Sequence, residues 1–510
     1  MKQNIFRMIC PFILIAWVLL TQSCKDEWNE HYKIASTLSN ERIADFVKEQ
    51  PQLSKFYQML KVTGYDVILN ASQTYTLWAP DNDALQNIDL NDTELVMNIV
   101  KNHITHFSFP ASGVQSEYIK MISGKKILFS HVETGYRFGN SSLIGEGVLT
   151  ANGLVHIINN YVPFQSNIWE YITGTPGLDS LKKYVNSQNK LLFNPALSVA
   201  IGVNSDGNTV YDSVFYKSNV LLDNLGALNT EDSIYTGILP NNIAWIEAYN
   251  RIKTYYVSNQ PNVQRSYTQS TIVRDMIFRN RVFDPNSLDS LVSTTNNVFH
   301  QPGYLFSNAN VNEVSNGLVY VTSQMQYKAT DSWFKEIRVE AEYGINRFAT
   351  SNENIYLRNS YGSPLNVSNK YYVLLEPTTT SSISKVYIDF NIPGTLSAKY
   401  NIYCVFVPTS IANPTDLKPC RAVFFITYTG ISGSLVKMQS LPVSNNITDP
   451  NVVTKMLIAS NFTFPRCDMS LVDNIVPTVK IRVQNDVSPA ETDFNRSMRI
   501  DCIILEPINQ

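Results

Sequence analysis

The feature that most constrains this chain is a motif that occurs twice. Residues 75–85 read YTLWAPDNDAL, and residues 235–245 read YTGILPNNIAW. The shared positions are Tyr75, Thr76, Pro80, Asn82 and Ala84 in the first copy and Tyr235, Thr236, Pro240, Asn242 and Ala244 in the second. A second motif follows each copy, NGLVHI from Asn152 and NGLVYV from Asn316. Two motifs that recur in the same order at nearly the same spacing indicate a duplicated domain.

Each first motif predicts a short apolar strand that ends at its proline. The Asx-rich turn after it can cap a helix that begins near Ala84 or Ala244. The Asn-Gly pair of each second motif predicts a turn that leads into a β-branched strand with alternating faces. Apolar residues at helical spacing over 43–59 and 95–104 predict helices between the motifs. Each repeat should therefore combine strands with helices.

These motifs resemble the conserved boxes of the fasciclin domain. YTLWAPDNDAL is similar to the first box, and NGLVHIINNYVPF, with Asn152, Gly153 and His156, is similar to the second. Asn316 and Gly317 hold the corresponding places in the second copy. The resemblance implies an α+β fold, a wedge-shaped sandwich of seven strands with helices packed alongside. It also implies adhesion or ligand binding, without catalytic activity in most members.

The family usually carries a Tyr-His pair between its two boxes. In this chain Asn102-His103 stands at that place in the first copy, and Asn280-Arg281 stands there in the second. Because the tyrosine is missing, adhesion roles ascribed to the pair do not carry over. We expect His103 to be a hydrogen-bonded core residue, with a ligand contact as the alternative. His156 lies on an alternating strand and is expected to be structural.

The last third changes to short alternating segments separated by turns, which predicts an all-β sandwich of jelly-roll type. The predicted strands are Ile337–Glu342, Tyr371–Glu376, Val386–Phe390, Tyr400–Val407, Ala422–Thr427, Val479–Val483 and Met498–Leu505. Segments 333–342, 386–407 and 499–507 resemble strands of carbohydrate-binding jelly rolls, which implies a sugar-binding module.

In that module family a structural calcium often uses acids on the first and last strands. Glu340, Glu342 and Asp501 hold roughly matching places, so the resemblance implies a calcium candidate. The alternative is that they are ordinary solvent-facing acids. We expect no other cofactor.

The last quarter holds cysteines that are either free or bridged. Cys404 and Cys502 alternate with apolar residues, so both are expected to point into the sandwich core as small hydrophobes. Cys420 and Cys467 follow turn-like dipeptides. A bridge between the first two or the last two is the alternative, and it requires Cα atoms within about 7 Å.

The N-terminus predicts export and a lipid anchor. A basic start and an apolar run over 9–20, too short for a comfortable transmembrane helix, predict a signal peptide. The LTQSC that follows resembles a bacterial lipobox, so Cys24 is expected to carry lipid, including palmitate. A plain signal peptide with an incidental cysteine is the alternative. Lys25, Asp26 and Glu27 resemble the surface-export signal of lipoproteins in one phylum of Gram-negative bacteria, or they form a solvated linker.

These features together predict the division of the chain. The predicted segments are a signal peptide at 1–23, a lipid-anchored linker at 24–37, fasciclin-like domains at 38–165 and 166–328, and a β-sandwich at 330–510. The second domain is divergent, with an insertion near 190–232.

The composition excludes some classes of function. A formal net charge of −3 without basic runs argues against a nucleic-acid partner. The sequence has no GxSxG, HExxH, P-loop or GxGxxG after a strand, so we expect no catalytic activity, although composition alone leaves a glycosidase open.

We therefore predict a non-catalytic lipoprotein on the outer face of the outer membrane that binds a glycan, peptide or protein. The layout resembles accessory components of nutrient-uptake systems, which implies a TonB-dependent transporter and a SusD-like lipoprotein as partners. The alternative is an adhesin whose fasciclin domains bind host matrix or neighbouring cells.

Overall fold

The computed structural model describes residues 37–112, 114–349, 353–378, 385–442, 446–470 and 477–508. The predicted signal peptide, Cys24 and the Lys25-Asp26-Glu27 signal lie outside these residues. Among the helices within these ranges, none has both the length and the apolar character that a bilayer crossing requires.

The chain divides into two compact units, which are described separately. The first consists of the described residues up to Gly174 together with Ala227–Tyr235 and Glu313–Leu318. The second consists of Thr175–Gly226, Thr236–Asn312 and the described residues from Val319 onward. The domain boundaries drawn from the sequence stay predictions.

The first unit combines helices with two sheets. Its helices are α1 (Ile43–Glu49), α2 (Ser54–Thr63), α3 (Tyr65–Ile68), α4 (Thr93–Asn102) and α5 (Ile168–Gly174). Its strands are β1 (Thr37–Leu38), β2 (Tyr75–Pro80), β3 (Ile104–His106), β4 (Ser116–Lys120), β5 (Lys126–Val132), β6 (Gly135–Phe138), β7 (Ser141–Ser142), β8 (Val148–Thr150) and β9 (Gly153–Ile158). One sheet has the order β1-β8-β9-β2-β3 and the other β4-β5-β6-β7. Because β2 and β9 pair in parallel, with Tyr75 opposite Gly153, the two sequence motifs are neighbours.

The helix predicted over 43–59 is divided in two. Pro51 disfavours a helical residue before it, so α1 ends at Glu49 and α2 begins at Ser54. Gly64, at φ 74°, ends α2 with a left-handed cap. The helix expected near Ala84 is absent. The chain instead continues in turns until α4 begins at Thr93. That part of the prediction is wrong for the first copy.

The core of the first unit has two parts. Apolar residues of α1, α2 and α4 pack on the five-stranded sheet, among them Phe56, Leu77 and Ile99. Trp78 points to the other side of that sheet, where it stacks on Phe138 at 4.3 Å between ring centroids. The unit therefore has the α+β composition that was expected.

The second repeat is another α+β region, and most of it belongs to the second unit. Its helices are α6 (Asp179–Ser187), α7 (Val220–Leu225), α8 (Asn242–Ile252) and α9 (Pro261–Arg274). The strands are β10 (Asn189–Phe193), β11 (Val199–Val203), β12 (Thr209–Asp212), β13 (Phe215–Asn219), β14 (Tyr235–Pro240), β15 (Ile277–Arg279), β16 (Ser290–Val292), β17 (Val298–His300), β18 (Ala309–Val314) and β19 (Gly317–Thr322). A sheet of order β15-β14-β19-β18 reproduces the arrangement of the first repeat. Here the helix predicted near Ala244 is present as α8.

The last third is a β-sandwich. Its strands are β20 (Ile337–Glu340), β21 (Arg347–Phe348), β22 (Glu353–Asn359), β23 (Tyr371–Pro377), β24 (Tyr387–Asn391), β25 (Lys399–Phe406), β26 (Ala422–Thr429), β27 (Leu435–Leu441), β28 (Thr454–Thr463), β29 (Lys480–Asn485) and β30 (Met498–Pro507). One sheet has the order β22-β23-β30-β25-β28, with β20 also paired to β30, and the other has the order β21-β24-β29-β26-β27. Aromatic side chains such as Phe406 and Phe424 meet between the sheets.

The predicted fold class, two α+β repeats followed by an all-β sandwich, is confirmed. Each strand predicted for the last third is present within about two residues of its expected ends. The strands that the sequence did not reveal are β21, β22, β27 and β28, and each of them lies at the edge of its sheet. The jelly-roll topology stays a prediction.

Candidate functional site

The threonine of each first motif binds its central strand to the chain segment that follows the neighbouring strand. Thr76 donates its hydroxyl to the Phe107 carbonyl at 2.8 Å and accepts the Phe109 N–H at 2.9 Å. Thr236 donates to the Asn280 carbonyl at 2.7 Å and accepts the Val282 N–H at 2.9 Å. Both threonines are fully buried. Their role is therefore to satisfy backbone groups in the interior.

The asparagines of the first motif cap helices that precede them in sequence. Asn82 accepts the Lys55 N–H at the start of α2, and Asn242 accepts the Ser180 N–H at the start of α6, each at 2.9 Å. Ala84 donates its N–H to the carboxylate of Asp81. Ala244 donates to the side chain of Asn241, the N-cap of α8. The remaining shared positions, Tyr75, Pro80, Tyr235 and Pro240, are buried strand residues.

The second motif places one buried asparagine in each repeat. Asn152 donates its amide to the Leu69 and Ala71 carbonyls at 2.7 and 3.0 Å and accepts the Ile43 N–H at 2.9 Å. Asn316 makes the same set of bonds at 2.9 Å each, to the Leu228 and Thr230 carbonyls and from the Ile168 N–H. Each side chain thus holds a loop against the first turn of a helix.

The glycine after each of these asparagines lies against a backbone carbonyl. Gly153 has φ 155° and Gly317 has φ 150°. A Cβ atom at either position would overlap the carbonyl oxygen of Tyr75 or Tyr235, respectively. Only glycine allows the two central strands to approach this closely.

His103 lies in the core of the first unit. Its Nε2 accepts the Val162 N–H at 2.9 Å, so the proton resides on Nδ1, which donates to the Ile99 carbonyl at 2.7 Å. The side chain is fully buried, and this burial lowers its pKa to about 4. Burial and the two backbone hydrogen bonds agree with the expected core role, and the ligand contact stays a prediction.

The counterpart of His103 in the second repeat is not the Asn280-Arg281 pair. In the first repeat the Trp78 N–H donates to the His103 carbonyl, and in the second the Ile238 N–H donates to the Met276 carbonyl. Trp78 and Ile238 hold the same offset in the two motifs. Asp275-Met276 therefore corresponds to Asn102-His103, which corrects the placement made from the sequence.

His156 is also a core residue. Its Nε2 contacts the Phe109 carbonyl at 2.9 Å, and its ring stacks on Trp78 at 5.6 Å between centroids. Burial lowers its pKa to about 4. Because Nδ1 has no hydrogen-bond partner, a second ring proton would be buried without an acceptor. Both buried histidines are therefore neutral scaffold residues.

The structure brings Glu340 and Asp501 together around Ser368. The Ser368 hydroxyl lies 2.5 Å from Glu340 Oε2 and 2.8 Å from Asp501 Oδ1. Burial raises the pKa of Asp501 to about 6 and also raises that of Glu340. The hydroxyl proton can point fully at only one of the two carboxylates, so a protonated carboxyl group or a cation would satisfy the other. Asp501 also accepts the Ser368 N–H. Glu342 is held nearby by Asn369, and its other oxygen is buried without a hydrogen-bond partner.

Asp501 occupies a bulge in β30. Val405 pairs with Cys502 but the next residue, Phe406, pairs with Ile500, so Asp501 is the extra residue. The bulge reverses the alternation of side chains. Ile500 therefore faces the core, whereas Cys502 packs with Val405 on the outer face of the sheet.

Four cysteines lie within the described residues, and no disulfide joins any two of them. Cys404, Cys420 and Cys502 are buried, and Cys467 is partly exposed. Cys404 pairs with Ile503 and so lies on the opposite face from Cys502. The predicted inward orientation of Cys502 and the two alternative bridges are therefore wrong.

An exposed aromatic cluster on the sandwich was not predicted. We call it the tyrosine edge; it comprises Tyr361, on the turn after β22, and Tyr371, at the start of β23. Arg358 and Tyr356 of β22 lie on the other face of the sheet, because Arg358 pairs with Tyr372 whereas Asn359 pairs with Tyr371. Tyr361 is 65% exposed, and its hydroxyl lies 3.2 Å from that of Tyr371. The Arg358 guanidinium lies 4.8 Å from the centre of the Tyr356 ring. The tyrosines in NIYLRNSYGS were the available signal, but edge strands lack the alternation that would have drawn attention to them.

Comparison with known proteins supports the first repeat most directly. The family model of the Fasciclin domain matches residues 51–162. Fasciclin-1 of Schistocerca americana is 24% identical over 278 residues, which is 50% of this chain and 36% of that protein. Human periostin is 22% identical over 157 residues, which is 29% of this chain and 18% of that protein. The chain thus spans about a third or less of the length of these curated relatives.

Two solved structures are also similar. A FAS1 domain pair from the insect cell adhesion molecule fasciclin I covers 55% of this chain and 98% of its own, at 14% identity and a TM-score of 0.22. The C-terminal family 22 carbohydrate-binding module of Clostridium thermocellum Xyn10B covers 34% and 93%, at 10% identity and a TM-score of 0.22. With such low TM-scores, the fold assignment rests on the sheets and helices of the chain itself.

Proposed function

We propose that this protein is a non-catalytic lipoprotein of the outer cell surface that binds a glycan through the tyrosine edge of its terminal sandwich. The observation that supports a glycan ligand is the exposed Tyr361 ring and its contact with Tyr371, whose ring centroids lie 5.7 Å apart. An exposed tyrosine offers an apolar ring face and a polar hydroxyl, which complement the C–H faces and hydroxyl groups of a sugar.

Both buried histidines bind backbone groups inside the fold, which supports a binding role over a catalytic one. A general base must reach the proton that it abstracts. His103 and His156 are buried, neutral and bonded to backbone groups, so neither is available to a substrate.

The wider role that we propose is that of an accessory component of an outer-membrane nutrient-uptake system, beside a TonB-dependent transporter and a SusD-like lipoprotein. An adhesin is the second candidate. It is favoured by the Fasciclin match at 51–162 and by the likeness to fasciclin I, which is described as an insect cell adhesion molecule.

Glycan binding is tested by titrating the full chain against a panel of soluble polysaccharides. Tyr361→Ala and Tyr371→Ala should each weaken binding up to about tenfold, since an aromatic contact contributes up to about 1.5 kcal/mol. Tyr118→Ala is the matched control, because this tyrosine is 68% exposed on β4 of the first unit. Binding that survives both substitutions on the tyrosine edge, or that fails equally in the control, contradicts the proposed site.

The anchor is tested in the native host. Cys24→Ala should leave a product that is either soluble or still joined to its signal peptide, and a cleaved product that remains in the membrane rules out the lipid anchor. Replacing Lys25, Asp26 and Glu27 with alanine should protect the protein from protease added outside the cell. Unchanged digestion would remove the export role of these residues.

We further infer that Ca²⁺ stabilises the sandwich at Glu340, Glu342 and Asp501. Buried carboxylates that repel one another, with one unpaired oxygen, fit a hard cation, whereas the Cys502 thiol beside them does not. The ion would neutralise the charge of these acids. Millimolar CaCl2 should raise the melting temperature of the full chain relative to EDTA, and Asp501→Asn should abolish the difference. Equal melting temperatures with and without Ca²⁺ contradict the site.

A further inference from the structure

The insertion of the second repeat forms a long β-hairpin, which we call the arm (residues 189–219). In its proximal half β10 pairs antiparallel with β13, with Phe193 opposite Phe215. In its distal half β11 pairs with β12, with Val199 opposite Asp212. About ten residues per side at a rise of about 3.3 Å make the arm roughly 33 Å long.

Apolar side chains of the arm are exposed along its length. Leu191 is 73% exposed, Val199 63%, Ile201 65% and Val203 68%, and Phe215 is 56% exposed. An isolated two-stranded hairpin is at best marginally stable in water. Its strands also have free edges, because β10–β13 and β11–β12 are separate two-stranded sheets. An uncharged strand such as β11 with a free edge is a site for pairing with another chain.

The charges of the arm are separated along its length. Lys190 and Lys217 lie in the proximal half, whereas Asp206 and Asp212 lie in the distal half, so the arm is neutral overall. Within the described part of the chain, none of these four residues takes part in an ion pair. The tip is polar, since a turn organised by Asn204 carries Asp206 there. A polar, acidic tip disfavours insertion into a bilayer.

This charge pattern is complementary to itself. Two arms that lie antiparallel place the lysines of each against the aspartates of the other, whereas parallel arms place like charges together. A surface that complements its own copy about a two-fold axis is the condition for an isologous dimer.

We propose that the arm is a homodimerisation element that pairs antiparallel with the arm of a second copy, about a two-fold axis at the junction of its two halves. Pairing covers the apolar side chains, supplies partners to a free strand edge and neutralises each charged half. This inference is independent of the ligand and of the anchor.

The test measures the self-association of the full chain in detergent by analytical ultracentrifugation. One variant, Lys190→Asp with Lys217→Asp, makes the arm acidic throughout, and the other, Asp206→Lys with Asp212→Lys, makes it basic throughout. Each variant alone should dimerise at least tenfold more weakly than the unaltered chain, because like charges then meet. An equimolar mixture of the two should restore a dimer that contains one copy of each.

Lys182→Asp with Lys183→Asp is the matched control, since these exposed lysines lie on α6 outside the arm. It should dimerise like the unaltered chain, and circular dichroism should show that all variants are folded. The proposal is overturned if the unaltered chain stays monomeric over a roughly 100-fold range of concentration. It is also overturned if either charge-reversed variant dimerises as well as the unaltered chain, or if the mixture of the two variants stays monomeric. Binding of the monomer to lipid vesicles through the arm would also contradict the proposal, because the arm would then contact lipid instead of a second copy.

Discussion

The two repeats use the same asparagine to bind buried backbone groups, but they bury different polar residues at another equivalent position. Asn152 and Asn316 make matching sets of three hydrogen bonds. By contrast, Asn102 in the first repeat donates to the Val162 carbonyl, whereas Asp275 in the second can only accept. Asp275 is accordingly surrounded by donors, the side chains of Ser293, Thr295, Asn297 and Ser332.

This difference shows which residues both repeats require and which position can change its residue type. The loop and strand ends need one particular geometry, which the asparagine and the following glycine provide in both copies. An interior polar group can change from amide to carboxylate provided that its neighbours change from acceptors to donors, since an unmatched buried group costs about 1–3 kcal/mol.

The largest effect should come from the glycines that both repeats share. Gly153→Ala and Gly317→Ala should each destabilise the protein by more than about 4 kcal/mol or prevent folding, because the new Cβ meets a strand carbonyl at positive φ. Gly64→Ala is the control: its φ is also positive, but no atom lies within 4 Å of the added carbon. Soluble yield and chemical denaturation measure the effect. A mild loss at Gly317 alone would show that the second repeat does not depend on the same close approach.

The shared asparagines should come next. Asn152→Ala and Asn316→Ala each leave three buried backbone groups without a partner, so each should lower the free energy of unfolding by about 3 kcal/mol. Asn91→Ala, on the exposed turn before α4, should change it by less than about 0.5 kcal/mol. Urea denaturation provides the values. Clearly unequal losses for the two buried asparagines would break the equivalence of the repeats.

The smallest effect is a difference in pH dependence. Burial lowers the pKa of His103 and His156 to about 4 from 6.5, so between these values the unfolded state binds more protons than the folded state. Their stabilisation is complete above pH 6.5 and is lost as the pH falls towards 4. One such histidine accounts for about 2 kcal/mol between pH 7 and pH 5. The second repeat has Met276 and Tyr320 at these places and lacks this loss.

Hydrogen exchange separates the two repeats in the full chain. The free energy of opening of α4 should fall between pH 7 and pH 5, whereas that of α8 should change much less. His103→Met, which copies the second repeat, should remove about half of the fall in α4. An unaltered fall in that variant would mean that another group is responsible.

The sequence by itself determined the elements that leave a local pattern, either a repeated motif or an alternation of buried and exposed residues. The duplicated motifs identified both repeats, and the central sandwich strands alternate because one face of each is buried. Edge strands β21, β22 and β27 were missed because exposure on both faces removes that alternation, whereas β28 was missed although Met456 and Ile458 alternate with exposed neighbours. The tyrosine edge was missed with them.

Only the tertiary structure decided which residues meet across the chain. The bulge at Asp501 reversed the expected face of Cys502, and the pairing of β2 with β3 aligned His103 with Met276 instead of Asn280-Arg281. Register and bulges are set by partners distant in sequence, so local spacing cannot reveal them. The same holds for the Glu340–Asp501 pair, whose proximity depends on the antiparallel pairing of β20 with β30.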